Sequence, residues 1–331
     1  MSDVHRIFGA EVSPYSVKVR SYFRYKQIPH EWIVRGAAQM EEFKKYAKLP
    51  LIPVVVSPAD EGSQDSTPII EKIEAEHPEP SIHPDDPVAA FVSVLIEEFG
   101  DEWGNKWMFH YRWAREADQD SAAERIARTM MPDLAEEPLA GMVAQLKERM
   151  VGRVWFVGSS PQTAPQIEES FERAMPCLES HLADRKYLFG DRPAFGDFGL
   201  WGQLYNAWTD PTAGAIIKRH PNLAAWIKRM LEPKTEGAFE PWSALAPTLE
   251  PFLEQFVGAL FLPWSAANAA AIAAGDEEFT VELEGRVYTQ KPQKYHARSL
   301  AALRARYVAL ADRAAVDAAL EKSGCLPVLR G

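Results

Sequence analysis

The chain has 331 residues, which is long enough for two domains and an appendage. Its 36 lysines and arginines stand against 47 aspartates and glutamates, and the formal net charge of −11 argues against nonspecific nucleic-acid binding. The two cysteines, Cys177 and Cys325, are far apart in the sequence, which excludes a disulfide framework and a cysteine zinc site.

The sequence carries no pattern typical of export or of a membrane span. Its first residues lack the basic stretch and long apolar run of a signal peptide. The most apolar stretch, 257–275, is interrupted by Pro263, Ser265 and Asn268, so no apolar run reaches the roughly 18 residues of a span. We therefore expect a cytoplasmic protein without membrane contact.

Residues 1–80 alternate strand-like and helix-like patterns in the order β-α-β-α-β-β-α, which predicts a small α/β domain. The predicted elements are, in chain order, a strand at 6–12, a helix at 14–27, a strand at 30–34, a helix at 39–48, a buried strand at 51–57, a hairpin connection at 57–64 and a helix at 66–77.

A proline-rich run at 77–87 marks the boundary to a second domain, 88–232, which is predicted to be entirely helical. Its predicted helices cover 88–116, 120–130, 134–150, 164–183, 195–208 and 221–231. No segment between these helices shows sustained strand alternation. The chain therefore reads as an α/β domain followed by an all-α domain.

Residues 233–331 form an extension beyond the two domains. An alanine-rich helix is followed by 277–290, in which alternating apolar residues precede a Glu284-Gly285 turn, and this pattern predicts a β-hairpin. A basic helical segment comes after the hairpin. It would cover the helical domain, reach across a dimer or close a substrate cleft, and the sequence leaves these alternatives open.

A first candidate site lies at Ser13, directly before Pro14, a residue favoured at the first position of a helix. A helix N-terminus presents unpaired N–H groups and the positive end of the dipole, so it stabilises an anion, and a hydroxyl adds one more donor. The alternative is that Ser13 only caps the helix.

Two further pairs in the first domain have a functional and a structural interpretation. Ile52-Pro53 leads a buried strand; a cis proline there would turn the Ile52 backbone toward an extended ligand, whereas a trans proline would only start the strand. Asp65-Ser66 precedes a helix and suits an ammonium and a carboxylate, or alternatively an ordinary cap with a favourable acid.

Aromatic residues crowd the segment 97–113. Trp103, Trp107 and Tyr111 are spaced four residues apart and therefore share one helical face. This face would either line a pocket for a flat apolar substrate or pack in the hydrophobic core. Tyr205 and Trp208 are candidates for the same wall.

Motifs of other enzyme classes are missing from the sequence: there is no GxSxG, HExxH, P-loop or GxGxxG after a strand, and no metal site is predicted. The acidic pairs Glu97-Glu98 and Asp85-Asp86 are interpreted as solvated faces or helix caps.

The order of these features resembles the glutathione transferase superfamily. SPYSVKVR (13–20) is similar to the tau-class active-site stretch and takes the place of the Cys-Pro motif of omega-like members. LIPVVV looks like the cis-proline strand of the family, and DSTPIIEKIEAEHP (65–78) is similar to its Ser-containing helix start. YLFGDRPAFGDFGLWGQL (187–204) resembles its buried capping box around Asp197.

The resemblance implies a thioredoxin-like, glutathione-binding first domain, an all-α second domain and a homodimer. Glutathione would be the co-substrate, with its sulfur at Ser13; Ser16 and Tyr15 are second choices for that role. Residues implied to bind the rest of glutathione are Ile52, Pro53, Asp65, Ser66 and Lys48.

Three departures from the family pattern qualify this interpretation. No cysteine occupies position 13 or 16, which disfavours disulfide chemistry, and Ala194 replaces the usual capping Ser or Thr. Leu51 stands where tau-like members have a basic residue, with Lys48 as the nearest replacement.

The sequence thus predicts an enzyme that conjugates glutathione to an apolar, aromatic electrophile; ether cleavage, dehalogenation or isomerisation would start from the same thiolate. The alternatives are a noncatalytic scaffold of the same fold and a carrier of hydrophobic ligands.

Overall fold

The computed structural model describes residues 4–331, so the first three residues of the predicted α/β domain lie outside the described part. That domain is a four-stranded sheet with strand order β2-β1-β3-β4 and three helices. Its elements are β1 (His5–Gly9), α1 (Pro14–Tyr25), β2 (His30–Val34), α2 (Met40–Tyr46), β3 (Val54–Val56), β4 (Gly62–Gln64) and α3 (Ser66–Glu76).

The sheet is mixed, because β1 pairs in parallel with β2 and antiparallel with β3, and β3 pairs antiparallel with β4. Ile7 and Phe8 in β1 are fully buried, as is the Val54–Val56 strand apart from a trace of Val55. Strands buried on both faces read as continuous apolar runs, which is why the pattern at 51–57 was recognisable. The predicted thioredoxin-like arrangement is confirmed.

The second domain is all-helical, as predicted. Its helices are α4 (Pro87–Phe99), α5 (Asn105–Ala114), α6 (Glu116–Met130), α7 (Glu136–Val151), α8 (Ala164–His181), α9 (Phe195–Trp208), α10 (Pro211–Ile217) and α11 (Pro221–Arg229). A π-helical segment, Gly100–Gly104, joins α4 to α5, and a short 3-10 helix spans Val154–Val157. The sequence pattern did not reveal α10 or the π-helical segment.

Helix α9 lies at the centre and brings the two domains into contact. A Cβ atom at Gly199 would lie 2.8 Å from Glu97 of α4, and one at Gly202 would lie 2.7 Å from the Pro14 carbonyl of α1. Because glycine has no side chain at these positions, α9 approaches both helices at backbone distance. The start of α1, where Ser13 lies, is therefore seated directly on the helical domain.

Asp197 anchors the start of α9 without a capping Ser or Thr. Its carboxylate accepts hydrogen bonds from the backbone of Ala194 (2.9 Å) and Leu188 (2.8 Å) and from the Trp226 indole (2.9 Å). Burial raises the pKa of Asp197 to about 7, against the effect of these donors. The Asp197 N–H, which a capping Ser or Thr hydroxyl would accept, donates instead to the Ala194 backbone carbonyl at 3.0 Å.

The extension packs on the helical domain. Its elements are α12 (Trp242–Phe252), a π-helical segment (Leu253–Phe261), α13 (Leu262–Ala274), β5 (Phe279–Leu283), β6 (Arg286–Gln290), α14 (Lys294–Val308), α15 (Ala314–Lys322) and α16 (Leu326–Arg330). The predicted hairpin is confirmed, and its turn residues Glu284 and Gly285 have φ of 50° and 74°, as a type I′ turn requires.

One helix in the described chain, the continuous Trp242–Ala274, is long and apolar enough to span a membrane by length and composition. More than half of its most apolar window is buried inside the protein, because Phe252, Phe256 and Phe261 pack with Phe99 and Trp107 of the helical domain. This burial is typical of a core helix.

Candidate active site

Ser13 is the N-cap of α1, and its hydroxyl is oriented as an acceptor toward the helix. Its Oγ accepts hydrogen bonds from the Ser16 backbone (3.3 Å) and from the Ser16 hydroxyl (3.0 Å). No described residue accepts a bond from Ser13, so its proton remains available to a ligand. Ser16 is fully buried, and its hydroxyl holds the Ser13 Oγ in place through their hydrogen bond. The capping and the ligand-binding interpretations of Ser13 are therefore compatible.

The hydroxyl of Tyr15 already has a hydrogen-bond partner within the protein. It donates to the backbone carbonyl of Asp101 at 3.0 Å, across the boundary between the domains. Burial raises its pKa well above the ordinary value, and the nearby carboxylates of Asp101 and Glu102 act in the same direction. Tyr15 thus stays a neutral donor that fastens α1 to the helical domain.

The loop before Ser13 is held by the helical domain. Arg112 of α5 donates to the Val12 carbonyl at 2.8 Å, and Asn206 of α9 donates to the Glu11 carbonyl at 3.3 Å. The Tyr205 hydroxyl donates to the Glu11 carboxylate at 2.5 Å. Tyr205, which was predicted to line the substrate pocket, instead positions the loop that carries Ser13.

The Ile52-Pro53 peptide bond is cis, which the sequence could not decide. Pro53 comes directly before β3, at the start of a strand, where a residue without an N–H is tolerated. Neither backbone group of Ile52 has a hydrogen-bond partner among residues 4–331. The Ile52 backbone is therefore available to a ligand that lies alongside β3.

Gln64, which the sequence analysis missed, holds the segment before Ile52. Its carboxamide oxygen accepts from the backbone N–H groups of Lys48 and Leu49 at 3.0 Å, and its nitrogen donates to the carbonyls of Leu49 (2.8 Å) and Leu51 (2.7 Å). The Lys48 side chain is exposed. One side chain from β4 thus shapes a loop of irregular backbone, a role that leaves no pattern in the sequence.

Asp65 and Ser66 lie at the start of α3, as predicted, but their side chains face tertiary partners. Asp65 has a φ of 83°, and within the described chain its carboxylate makes no capping hydrogen bond. Its oxygens instead lie 3.4 Å from the hydroxyl of Tyr295 in α14. The buried Ser66 hydroxyl lies 3.5 Å from the Asp101 carboxylate. Burial raises the pKa of Asp65, and the nearby Lys18 ammonium opposes this rise.

A buried ionic cluster lies beneath these residues. The Lys18 ammonium of α1 contacts Glu97, Asp101 at 2.7 Å and the Thr67 hydroxyl at 3.0 Å. Burial raises the pKa of Asp101, and Lys18 opposes this effect. Glu97 and Glu98 were interpreted as solvated, and that interpretation is wrong, because α1 and the extension cover both side chains with partners from distant parts of the chain.

Three of the predicted aromatic pocket residues are core. Trp103, Trp107 and Tyr111 are at most 1% exposed. The Trp107 indole donates to Ser170 at 2.7 Å, and the Tyr111 and Phe171 rings lie 4.8 Å apart. The pocket prediction is therefore wrong for these three, because the extension and α8 cover the shared face. Trp208 is half-buried, and its ring centre lies 6.3 Å from that of Tyr205. It stays a candidate for lining the substrate pocket.

No group of three or more His, Cys, Asp or Glu side chains within residues 4–331 is placed to hold a metal ion. A cavity of about 570 Å³ opens between the end of α1, β3 and α3, lined among others by His5, Lys26, Lys72 and His77. None of the candidate site residues lines it, so it is separate from the Ser13 region.

Two family models match the chain: a glutathione S-transferase N-terminal domain at residues 7–81 and a glutathione S-transferase C-terminal domain at residues 123–229. Together they span more than half of the sequence, and in the order that the two folded domains follow. The chain belongs to the glutathione S-transferase superfamily.

Solved structures of glutathione S-transferases match the chain at low sequence identity. A Methylobacterium radiotolerans glutathione S-transferase in complex with glutathione sulfonate has 22% identity and a TM-score of 0.41, covering 68% of this chain and 89% of its own. A tau-class glutathione S-transferase from mango has 18% identity and a TM-score of 0.42. The match covers 71% of this chain and 96% of the mango protein. A Sphingobium beta-etherase has 18% identity and a TM-score of 0.48. The match covers 69% of this chain and 94% of the beta-etherase. No curated protein matches the chain.

Proposed function

We propose that the protein is a glutathione transferase in which Ser13 activates the thiol of bound glutathione. A free thiol has a pKa of about 8.5, so only a few per cent is thiolate near neutral pH. The observation that carries the proposal is the Ser13 hydroxyl: it accepts two bonds from Ser16 and keeps its own proton for a ligand at a helix N-terminus. A donor in that position stabilises the thiolate over the thiol.

We expect the remaining parts of glutathione to bind residues of the first domain near Ser13. The backbone of Ile52 beside cis Pro53 would pair with the cysteinyl unit. Asp65 would receive the γ-glutamyl ammonium, and the backbone N–H groups that begin α3 at Ser66 would receive the neighbouring carboxylate. Lys48, exposed on the loop shaped by Gln64, is the cation nearest in sequence for the glycyl carboxylate.

In the proposed reaction the glutathione thiolate attacks an electrophilic carbon, a C–S bond forms, and the leaving group departs with the bonding electron pair. Trp208 at the end of α9 would contact the apolar substrate. The carrier alternative loses its main support, because the aromatic face that would have held hydrophobic ligands is buried in the core.

The proposal is tested with the Ser13→Ala variant. Glutathione is titrated into each protein and thiolate absorbance is followed against pH at saturation. In the wild type we expect a thiolate below the free-thiol pKa, and in Ser13→Ala a rise of the bound-thiol pKa by about one to two units, the value of one charge-assisted hydrogen bond.

Two control variants separate lost activation from a lost helix cap, which alone costs about 1 kcal/mol of stability. Ser13→Thr keeps a hydroxyl and should retain a lowered thiol pKa. Asp86→Ala removes the cap of α4, where Asp86 accepts from Val88 and Ala89, and should leave the bound thiol unchanged. A wild type that shows no saturable glutathione binding would refute the proposal.

A further inference from the structure

The Asp65 carboxylate has a partner from the far end of the chain. Both of its oxygens lie 3.4 Å from the hydroxyl of Tyr295 in α14, a residue 230 positions away in the sequence. Asp65 makes no capping hydrogen bond within residues 4–331, although the adjacent Ser66 N–H acts to lower the pKa of its carboxylate. The contact therefore couples the first domain directly to the extension.

Tyr295 is held in this place by contacts on both sides of it in the sequence. Just before it, Gln293 and Asn268 of α13 exchange two hydrogen bonds, of 2.7 and 3.0 Å. Just after it, the His296 imidazole contacts the Glu102 carboxylate and packs at 4.8 Å from the Trp264 ring. The first turn of α14 is thus attached to two separate helices, and the Tyr295 hydroxyl has a defined position relative to Asp65.

The surroundings of Asp65 favour a positively charged group. The Asp101 carboxylate lies 3.5 Å from the hydroxyl of the adjacent Ser66; it shares the Lys18 ammonium with Glu97, and Glu102 is also near. Among the described residues, the buried Glu97 Oε2 and Asp101 Oδ1 have no hydrogen-bond partner. Unpartnered acceptors and an excess of acidic groups stabilise a cation, such as the α-ammonium of an amino acid.

We propose that Tyr295 is a positioning residue of the glutathione site: its hydroxyl holds the Asp65 carboxylate toward the γ-glutamyl ammonium, so that the extension completes this subsite. This inference rests on the proposed function and assigns a role to residues that lie outside both matched family domains.

The test compares two ligands on the full-length protein by isothermal titration calorimetry: glutathione, and cysteinylglycine, which lacks the γ-glutamyl unit. For Tyr295→Phe we expect glutathione to bind roughly three- to tenfold more weakly, the range for one hydrogen bond, and cysteinylglycine to bind as in the wild type. The pKa of the bound glutathione thiol at saturation should not change, because Ser13 is untouched.

Tyr307→Phe is the matched control. The Tyr307 hydroxyl, also in α14, donates to Asp317 at 2.6 Å within the extension, so this variant loses a similar bond away from the site. It should bind glutathione normally. A combined Tyr295→Phe and Asp65→Asn variant should lose little more than Asp65→Asn alone, since Tyr295 acts through Asp65.

Equal or tighter glutathione binding by Tyr295→Phe would overturn the inference and leave the proposed function intact. An equal loss for both ligands would also overturn it, because that result indicates a general distortion of the site. A wild type that does not bind glutathione would instead refute the proposed function, and the inference would fall with it.

Discussion

Two buried lysines, Lys18 and Lys106, each connect two parts of this protein, the first through charged partners and the second through neutral ones. Lys18 joins the first domain to the helical domain, and its ammonium contacts Glu97 and Asp101. Lys106 joins the helical domain to the extension; it donates to the Val157 carbonyl (2.9 Å) and the Gln290 carboxamide (2.8 Å). Both side chains are at most 1% exposed.

The neighbours of each lysine decide its charge. Burial lowers the pKa of Lys18, but Asp101 and Glu97 outweigh that effect, and the net shift is upward. Burial lowers the pKa of Lys106 well below its usual value, and Glu102 opposes this only in part. Lys106 has only neutral hydrogen-bond acceptors, and its nitrogen lies 3.8 Å from the centre of the Trp264 ring. Only the charged cluster borders the candidate site.

Loss of Lys18 should have the largest effect on stability. Lys18→Met leaves Glu97 and Asp101 buried without their cation, which costs about 3–5 kcal/mol of the free energy of unfolding. Chemical denaturation measures this loss. The control is Lys44→Met, at an exposed pair with Glu41, where the loss of stability should be far smaller because solvent screens the pair.

A second variant shows whether the penalty comes from uncompensated charge. Adding Glu97→Gln to Lys18→Met removes one orphaned carboxylate and should restore part of the lost stability. If the double variant is as unstable as Lys18→Met alone, lost packing rather than charge explains the effect, and the contrast between the two lysines is weaker than the contacts indicate.

Loss of Lys106 should cost less. Near pH 10, where the cost of burying Lys106 without its proton is small, Lys106→Met mainly takes a donor from the Val157 carbonyl and the Gln290 carboxamide, a loss of about 1–2 kcal/mol in chemical denaturation. Gln290 keeps the Trp264 indole as donor at 3.0 Å, and a thioether packs well against the same aromatic rings. A loss as large as that of Lys18→Met would contradict the comparison.

The two lysines should also differ in how they make stability depend on pH. Below its unfolded pKa of 10.5, the unfolded chain binds a proton at Lys106 more readily than the folded protein does, so this group makes stability rise as pH increases toward 10.5. Lys106→Met should remove a slope of at most about 1.4 kcal/mol per pH unit.

Lys18 should behave in the opposite sense. Its folded pKa is raised, so its contribution is fully present below 10.5 and is lost as pH rises above that value. Between pH 7 and about 10 the Lys18 group itself adds no slope, but Lys18→Met leaves the Asp101 carboxylate buried without its cation, so the variant should lose stability as pH rises. Denaturation at several pH values tests both variants, and equal slopes for wild type and Lys106→Met would show that Lys106 is charged in the folded protein.

Local patterns in the sequence predicted the parts of the site that depend on one short segment. Ser13 before Pro14 marked a helix start, and Asp65-Ser66 marked another, because capping chemistry depends on adjacent residues. The Glu284-Gly285 turn was recognisable for the same reason. By contrast, the contact between Tyr295 and Asp65 joins segments with no shared pattern and could not be predicted.

The aromatic helix shows the limit of periodicity. The spacing of Trp103, Trp107 and Tyr111 correctly indicated one shared face, but periodicity does not reveal what covers a face. The extension and α8 cover it here, which turns a candidate pocket into core. The same applies to Glu97, whose acidic character indicated solvent until α1 supplied Lys18 as its partner.

By itself, the amino-acid sequence determined the order of strands and helices, the helix start at Ser13 and the superfamily, because these depend on local propensity and short motifs. Only the tertiary structure decided the cis state of Pro53, the burial of the aromatic face and the placement of Tyr295 on Asp65. These features depend on contacts between segments far apart in the chain, whose energies arise only when the packed helices exclude water and bring those segments together.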